Sequence, residues 1–114
     1  MSSFSARVDY SYPFPVVFLS GQITAAAEKE IISAFHGIAP EKRSRILIDF
    51  QDAKYMDSSG VGTIINLLND ARNSHSVIEF SGLSKLLMYV VDNVGLTEVV
   101  RIHETLQDAL SAAD

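Results

Sequence analysis

With 114 residues the chain has room for one domain with a real core, and 47% apolar against 20% charged residues is a globular rather than a disordered composition. A net charge of −5, with no basic cluster denser than Lys42-Arg43 plus Arg45, argues against a nucleic-acid binder, which needs a basic stripe. The lack of cysteine excludes disulfides, thiolate metal sites and cysteine nucleophiles and fits a reducing cytoplasm.

The N-terminal residues Met1-Ser2-Ser3-Phe4-Ser5-Ala6-Arg7 lack the basic-then-apolar pattern of a signal peptide. No apolar run approaches the roughly 20 residues that span a bilayer. A first strand is predicted from about Ser5 to Tyr10, where Ala6, Val8 and Tyr10 alternate. Tyr12-Pro13-Phe14-Pro15 turns the chain into a second strand, Val16-Val17-Phe18-Leu19, antiparallel to the first. Thr24 is a suitable N-cap for a helix that opens on Ala25-Ala26-Ala27 and carries Ile31, Ala34, Phe35 and Ile38 on one face; Gly37 and Pro40 end it.

The continuous run Ile46-Leu47-Ile48 predicts a third strand buried on both faces, followed by a short polar loop holding Tyr55 and Met56. From about Ser58 to Asn73 an apolar stripe at helical spacing, Val61, Ile64, Ile65, Leu68 and Ala71, predicts a second helix. Val77-Ile78-Glu79-Phe80 reads as a fourth strand. Leu83, Leu86, Leu87, Val90, Val91 and Val94 form a third helical stripe, from which Met88 and Tyr89 depart. Val99-Val100-Arg101-Ile102 reads as a last strand, and a C-terminal helix opens with Thr105 or Glu104 near its cap. The order β-β-α-β-α-β-α-β-α predicts a single α/β domain over 1–114: a mostly parallel sheet of about five strands with one antiparallel edge strand, and about four helices.

The densest chemistry lies at Asp57-Ser58-Ser59-Gly60-Val61-Gly62. Asp and Ser favour helix caps and Gly lets a backbone turn, but one cap does not require two serines and two glycines. A helix start presents free N–H groups and a partial positive charge, so a serine there can carry a phosphate. The serines lack the flanking glycines of a hydrolase elbow. His36, His75 and His103 offer neither a paired base nor metal-ligand spacing, and Gly60-x-Gly62 is not a phosphate loop. Asp49 ends the third strand as the phosphorylated aspartate of a receiver domain would, yet no acidic pair follows an earlier strand to hold Mg²⁺. Asp49 and Asp52 are therefore assigned to ordering the loop through hydrogen bonds to backbone N–H groups.

The apolar strand, Asp49, Asp52 and Met56-Asp57-Ser58-Ser59-Gly60-Val61-Gly62 resemble the STAS family, and within it the bacterial anti-sigma-factor antagonists. Leu19-Ser20-Gly21-Gln22-Ile23, Ser81-Gly82-Leu83 and Val94-Gly95-Leu96 are similar to further landmarks of that family. The resemblance implies that Ser59, with Ser58 as its neighbour, is the phosphoacceptor. It implies an anti-sigma factor partner that is itself a serine kinase of the histidine-kinase-like ATPase class, and a serine phosphatase that resets the switch. Tyr55, Met56, Asp57, Ser58, Gly60 and Val61 are the expected contact residues, extended by Met88 and Tyr89. Such a protein is a substrate and ligand, not an enzyme, with no cofactor or metal, no nucleic-acid partner and no membrane insertion. The alternative is a STAS regulatory subunit of a membrane transporter or lipid-transport complex, with Ser59 purely structural. Thr24 stands where many relatives carry an acidic residue near the phosphosite.

Overall fold

A computed structural model describes residues 4–112; the ends of the expected 1–114 domain lie outside the described residues. One five-stranded sheet has its strands in sequence order: β1 (Ser5–Asp9), β2 (Val16–Ile23), β3 (Arg45–Met56), β4 (Val77–Ser81) and β5 (Ile102–His103). β1 and β2 are antiparallel and every other pair is parallel, as the sequence predicts. The helices are α1 (Glu28–His36), α2 (Ser58–Asn73), α3 (Lys85–Asn93) and α4 (Leu106–Ser111).

Alternation along the strands divides the core in two. Val17, Leu19, Ile46, Ile48, Phe50, Ile78 and Phe80 join Ile31, Phe35, Ile64, Leu67, Leu87 and Val91 of α1–α3 on one side of the sheet. Phe50 and Phe80 meet there edge to face, with ring centroids 5.0 Å apart. On the other side Val16 and Leu47 pack beneath Ala109 and Leu106 of α4, flanked by Tyr12, Phe14 and Phe18.

Three expectations need correction. Thr24 makes no side-chain cap: Ala25–Ala27 form a single 3₁₀ turn, closed by the Ala27 N–H donating to the Thr24 carbonyl, and α1 proper begins at Glu28. Val99-Val100-Arg101 is not strand; it follows a 3₁₀ turn over Leu96–Glu98, onto which the Val99 and Val100 N–H groups fold back by donating to the Leu96 carbonyl, and β5 keeps only two residues. The α3 stripe is narrower than its sequence, because Leu87 and Val91 are buried while Leu86 and Val94 are exposed.

The larger difference is β3, which runs unbroken through Phe50–Met56, the segment read as a loop. β4 pairs only with Arg45–Asp49, so the far half of β3 lies along β2 alone, with Ser20 opposite Asp52 and Ile23 opposite Met56. Two register shifts along this pair give β3 extra residues and break strict alternation. Beyond Phe50, only Ala53 and Met56 of this half face the core, while Gln51, Asp52, Lys54 and Tyr55 are exposed. Polar composition here reflects one-sided exposure rather than absence of a strand.

The second face also holds a buried ionic cluster. Arg45 Nε and Nη2 donate to Glu79 Oε2 and Oε1 at 3.1 and 3.0 Å, and His103 Nε2 lies 2.7 Å from Oε1. Arg45 also stacks over Phe14, 4.2 Å from its ring centre. Burial would raise the Glu79 pKa, but the hydrogen bonds and charges of Arg45 and His103 outweigh it and hold the carboxyl below its usual value. A carboxyl lowered by folding contributes stability that is present above its unfolded value, about 4.3, and is lost as pH falls through the folded value. Thermal melts across that acid range should therefore show a shallower loss of stability in Glu79→Gln than in the wild type; identical acid slopes would remove Glu79 as the source.

Candidate functional site

The serine motif joins the far end of β3 to the start of α2. Asp57 is extended, at φ −96° and ψ −175°, and its Oδ1 accepts from the Gly60 N–H at 2.9 Å, which makes it the N-cap. Its own N–H donates to the Ile23 carbonyl at 3.2 Å, so the cap is tied to the end of β2. The Val61 N–H donates to the Asp57 carbonyl at 2.9 Å and starts the regular helical ladder.

Gly60 is required for space rather than for conformation. It has no positive φ, but a Cβ at this position would sit 2.1 Å from the Ile23 carbonyl oxygen and 2.8 Å from its carbon. The helix backbone thus rests directly on the backbone of β2. Gly62, one half-turn on, faces open space, and a Cβ there would meet nothing within 4 Å. Ser58 and Ser59 occupy the first turn between these contacts, and both are exposed. Neither hydroxyl has a hydrogen-bond partner among the described residues. The Ser59 carbonyl accepts from Thr63 Oγ1 at 3.3 Å, which fixes the backbone behind the free hydroxyl.

Of the expected contact residues, Tyr55 is 45% exposed, Asp57 is half-buried and Ser58 is exposed. Met56, Gly60 and Val61 belong to the core, at 7% exposure or less for Met56 and Val61, and offer no surface to a partner. Met56 points inward because of the β3 register, and Val61 because it heads the buried stripe of α2. Met88 and Tyr89 are exposed on α3, the latter at 68%. Beside the serines the turn over Ala25–Ala27 packs against α2, with Ala25 and Ala26 facing solvent. Thr24, the departure noted in the sequence, immediately precedes this turn and is half-buried.

Asp49 lies within the continuous strand β3 rather than at its end. Its Oδ1 accepts from the Gln51 N–H at 3.0 Å and its Oδ2 from Ser81 Oγ at 2.8 Å, in a site where Asp49 is 2% exposed. Gly82, at φ +73°, passes so close that a Cβ would meet both Asp49 Oδ2 and the Gln51 N–H at 3.1 Å. With both oxygens engaged, Asp49 is not presented as a receiver aspartate. Asp52 is exposed, and its carboxylate accepts from no backbone N–H among the described residues. Ile23, Thr63 and Ser81 support the site; Ile23 and Ser81 were named from sequence only as parts of family landmarks, and Thr63 was not singled out, its signal being the Ser59-to-Thr63 spacing of one helical turn. Among the described residues no His, Asp and Glu cluster could hold a metal ion.

These contacts separate the two glycines experimentally. Gly60→Ala should cost about 2 kcal/mol or more, because a backbone must move. Gly62→Ala should stabilise by about 0.5–1 kcal/mol, as expected of an unobstructed helix position. Chemical denaturation of both variants checks the pair; equal effects would contradict the close approach at Ile23.

Comparison with known proteins agrees with this architecture. The STAS domain model matches residues 6–109. The chain is similar to an anti-sigma-B factor antagonist of Listeria monocytogenes, with 26% identity over 86 residues that cover 75% of each chain. Among solved structures it is similar to an anti-sigma factor antagonist from Mycobacterium paratuberculosis, with a TM-score of 0.82 and 17% identity, covering 96% of this chain and 92% of that one. It is also similar to a sulfate transporter family protein from Wolinella succinogenes, with a TM-score of 0.76 and 14% identity, covering 84% and 80%. With the family model spanning nearly the whole sheet and its helices, the chain belongs to the STAS domain family.

Proposed function

We propose that the protein is an anti-sigma-factor antagonist in a phosphorylation-controlled partner switch, acting in the bacterial cytoplasm. Unphosphorylated, it binds an anti-sigma factor that is also a serine kinase of the histidine-kinase-like ATPase class, so that the sigma factor is released. The kinase phosphorylates Ser59, the complex ends, and a serine phosphatase resets it. The observation that carries this reading is the exposed, unpartnered Ser59 hydroxyl on a backbone held by Gly60 and Thr63. The relative from Listeria monocytogenes, an anti-sigma-B factor antagonist, supports the class of partner. The choice of Ser59 over Ser58 rests on its place as second serine of the motif. The protein is a substrate and ligand rather than a catalyst; among the described residues no base is hydrogen-bonded to either hydroxyl.

The physics of release follows from where the charge lands. A phosphoserine adds about −1.5 to −2 charges to a chain already at −5. At the helix start it meets a favourable dipole worth about 0.3–1 kcal/mol, while Asp57 beside it repels. These local terms are small and opposed, so the fold is left nearly unchanged. Against a partner, a loss of about 1.4 kcal/mol already weakens binding tenfold, and a phosphate facing a closed surface loses at least that.

The alternative, a regulatory STAS subunit of a transporter or lipid-transport complex, uses the same fold but gives Ser59 no chemical role. Incubation with the cognate kinase and ATP should add one phosphate, mapped by fragmentation to Ser59. Phosphorylation and Ser59→Asp should each weaken kinase binding by about tenfold or more while moving the melting temperature only a few degrees, and Ser59→Ala should bind constitutively. Phosphate on Ser58 alone would reject the acceptor; undiminished binding of the phosphorylated form would reject the switch.

A further inference from the structure

At the opposite end of α2 from the serines lies a groove of about 640 Å³, between the last turns of α2, the start of β4 and the turn that follows α3. At about 1.5 Å per residue, its α2 lining residues Ile65 to Arg72 lie about 9 to 20 Å along the helix from Ser59. The walls of the groove are mixed, with aliphatic side chains beside the polar Asn69, His75 and Ser76. Ile65 and Leu68 are half-buried, while Val77, Val94 and Val99 are 55%, 48% and 63% exposed, more than isolated surface valines would contribute. No phenylalanine or tyrosine lines it.

The charge pattern is the second observation. The chain carries 14 acidic and 9 basic residues, yet no acidic residue lines this groove. Its one charged lining side chain is Arg72, which is exposed and has no hydrogen-bond or ion-pair partner among the described residues. His75 stands next to it, held at φ +60° in the turn that closes α2, where the Ser76 N–H donates to the Ala71 carbonyl at 2.8 Å. An alkyl wall with a cation at one end, on an otherwise acidic protein, complements an amphiphile with an anionic head. The volume lies in the range of small-molecule sites.

We propose that this groove binds a free long-chain carboxylate, its alkyl chain along Ile65, Leu68, Val77 and Val99 and its head at Arg72. The site is separate from the serine turn and does not depend on the partner-switch reading. Titration of isotope-labelled protein with sodium decanoate, below its micelle concentration, tests it by nuclear magnetic resonance. Saturable shifts should be confined to the methyl groups of Ile65, Leu68, Val77, Val94 and Val99 and to the Arg72 side chain. Arg72→Glu should weaken binding by about tenfold or more. Arg72→Gln should give an intermediate loss, Val99→Asp should abolish binding, and decyltrimethylammonium should not compete. Both substituted side chains are exposed, so the variants should keep the wild-type amide spectrum. The proposal is overturned by absence of saturable shifts, by shifts elsewhere, by equal binding of the cationic amphiphile, or by decanoate binding that survives Arg72→Glu and Val99→Asp. Shifts in the groove with anionic phospholipid vesicles but not with decanoate would assign the face to a membrane and overturn it equally.

Discussion

The serine turn depends on one contact between two backbones, Gly60 against the carbonyl of Ile23. A side chain at position 60 would hold α2 away from β2 and break the bond from the Asp57 N–H to the same carbonyl. That carbonyl therefore positions both the cap and the third residue of the helix. With these fixed, Ser58 and Ser59 project from a turn that is anchored on both sides yet makes no use of their hydroxyls. A rigid support beneath free hydroxyls suits modification: the new charge has few ways to relax into the fold and is felt by whatever docks against it.

Much of the architecture was legible because its signals are local. The Ile46-Leu47-Ile48 run, the α2 stripe and the Thr105 cap each specify their element without distant partners, and strands alternating with helices select a parallel sheet. Illegible features depend on distant contacts. The polar half of β3 is a strand because β2 extends far enough to pair with it. Burial of Met56 follows from a register shift that no periodicity rule anticipates. Thr24 has the composition of a cap but sits before a 3₁₀ turn, where its side chain meets no free N–H. Within the motif, Asp57 as cap was readable, whereas Gly60 looked like a turn residue and proves to be a spacing residue.

The two faces of the sheet have different work. The helix-covered face supplies the large aliphatic core and carries the serine turn at its edge. The other face is covered by a single short helix and relies on Arg45, Glu79 and His103 to bind β3, β4 and β5 together. Removing one member of such a buried cluster leaves the others uncompensated, at a cost of about 3–5 kcal/mol. The cluster stands apart from the serine turn, so substitutions in the one leave the contacts of the other in place.

The central claim, that phosphate on Ser59 acts on the interface and not on the fold, is tested most directly by amide hydrogen exchange at Asp57, Gly60 and Val61 in the unmodified and phosphorylated protein. The account predicts protected amides at these three positions and nearly equal protection in both forms. Loss of protection at Asp57 and through the first turns of α2 on phosphorylation would show that the helix undocks from Ile23, and would contradict it.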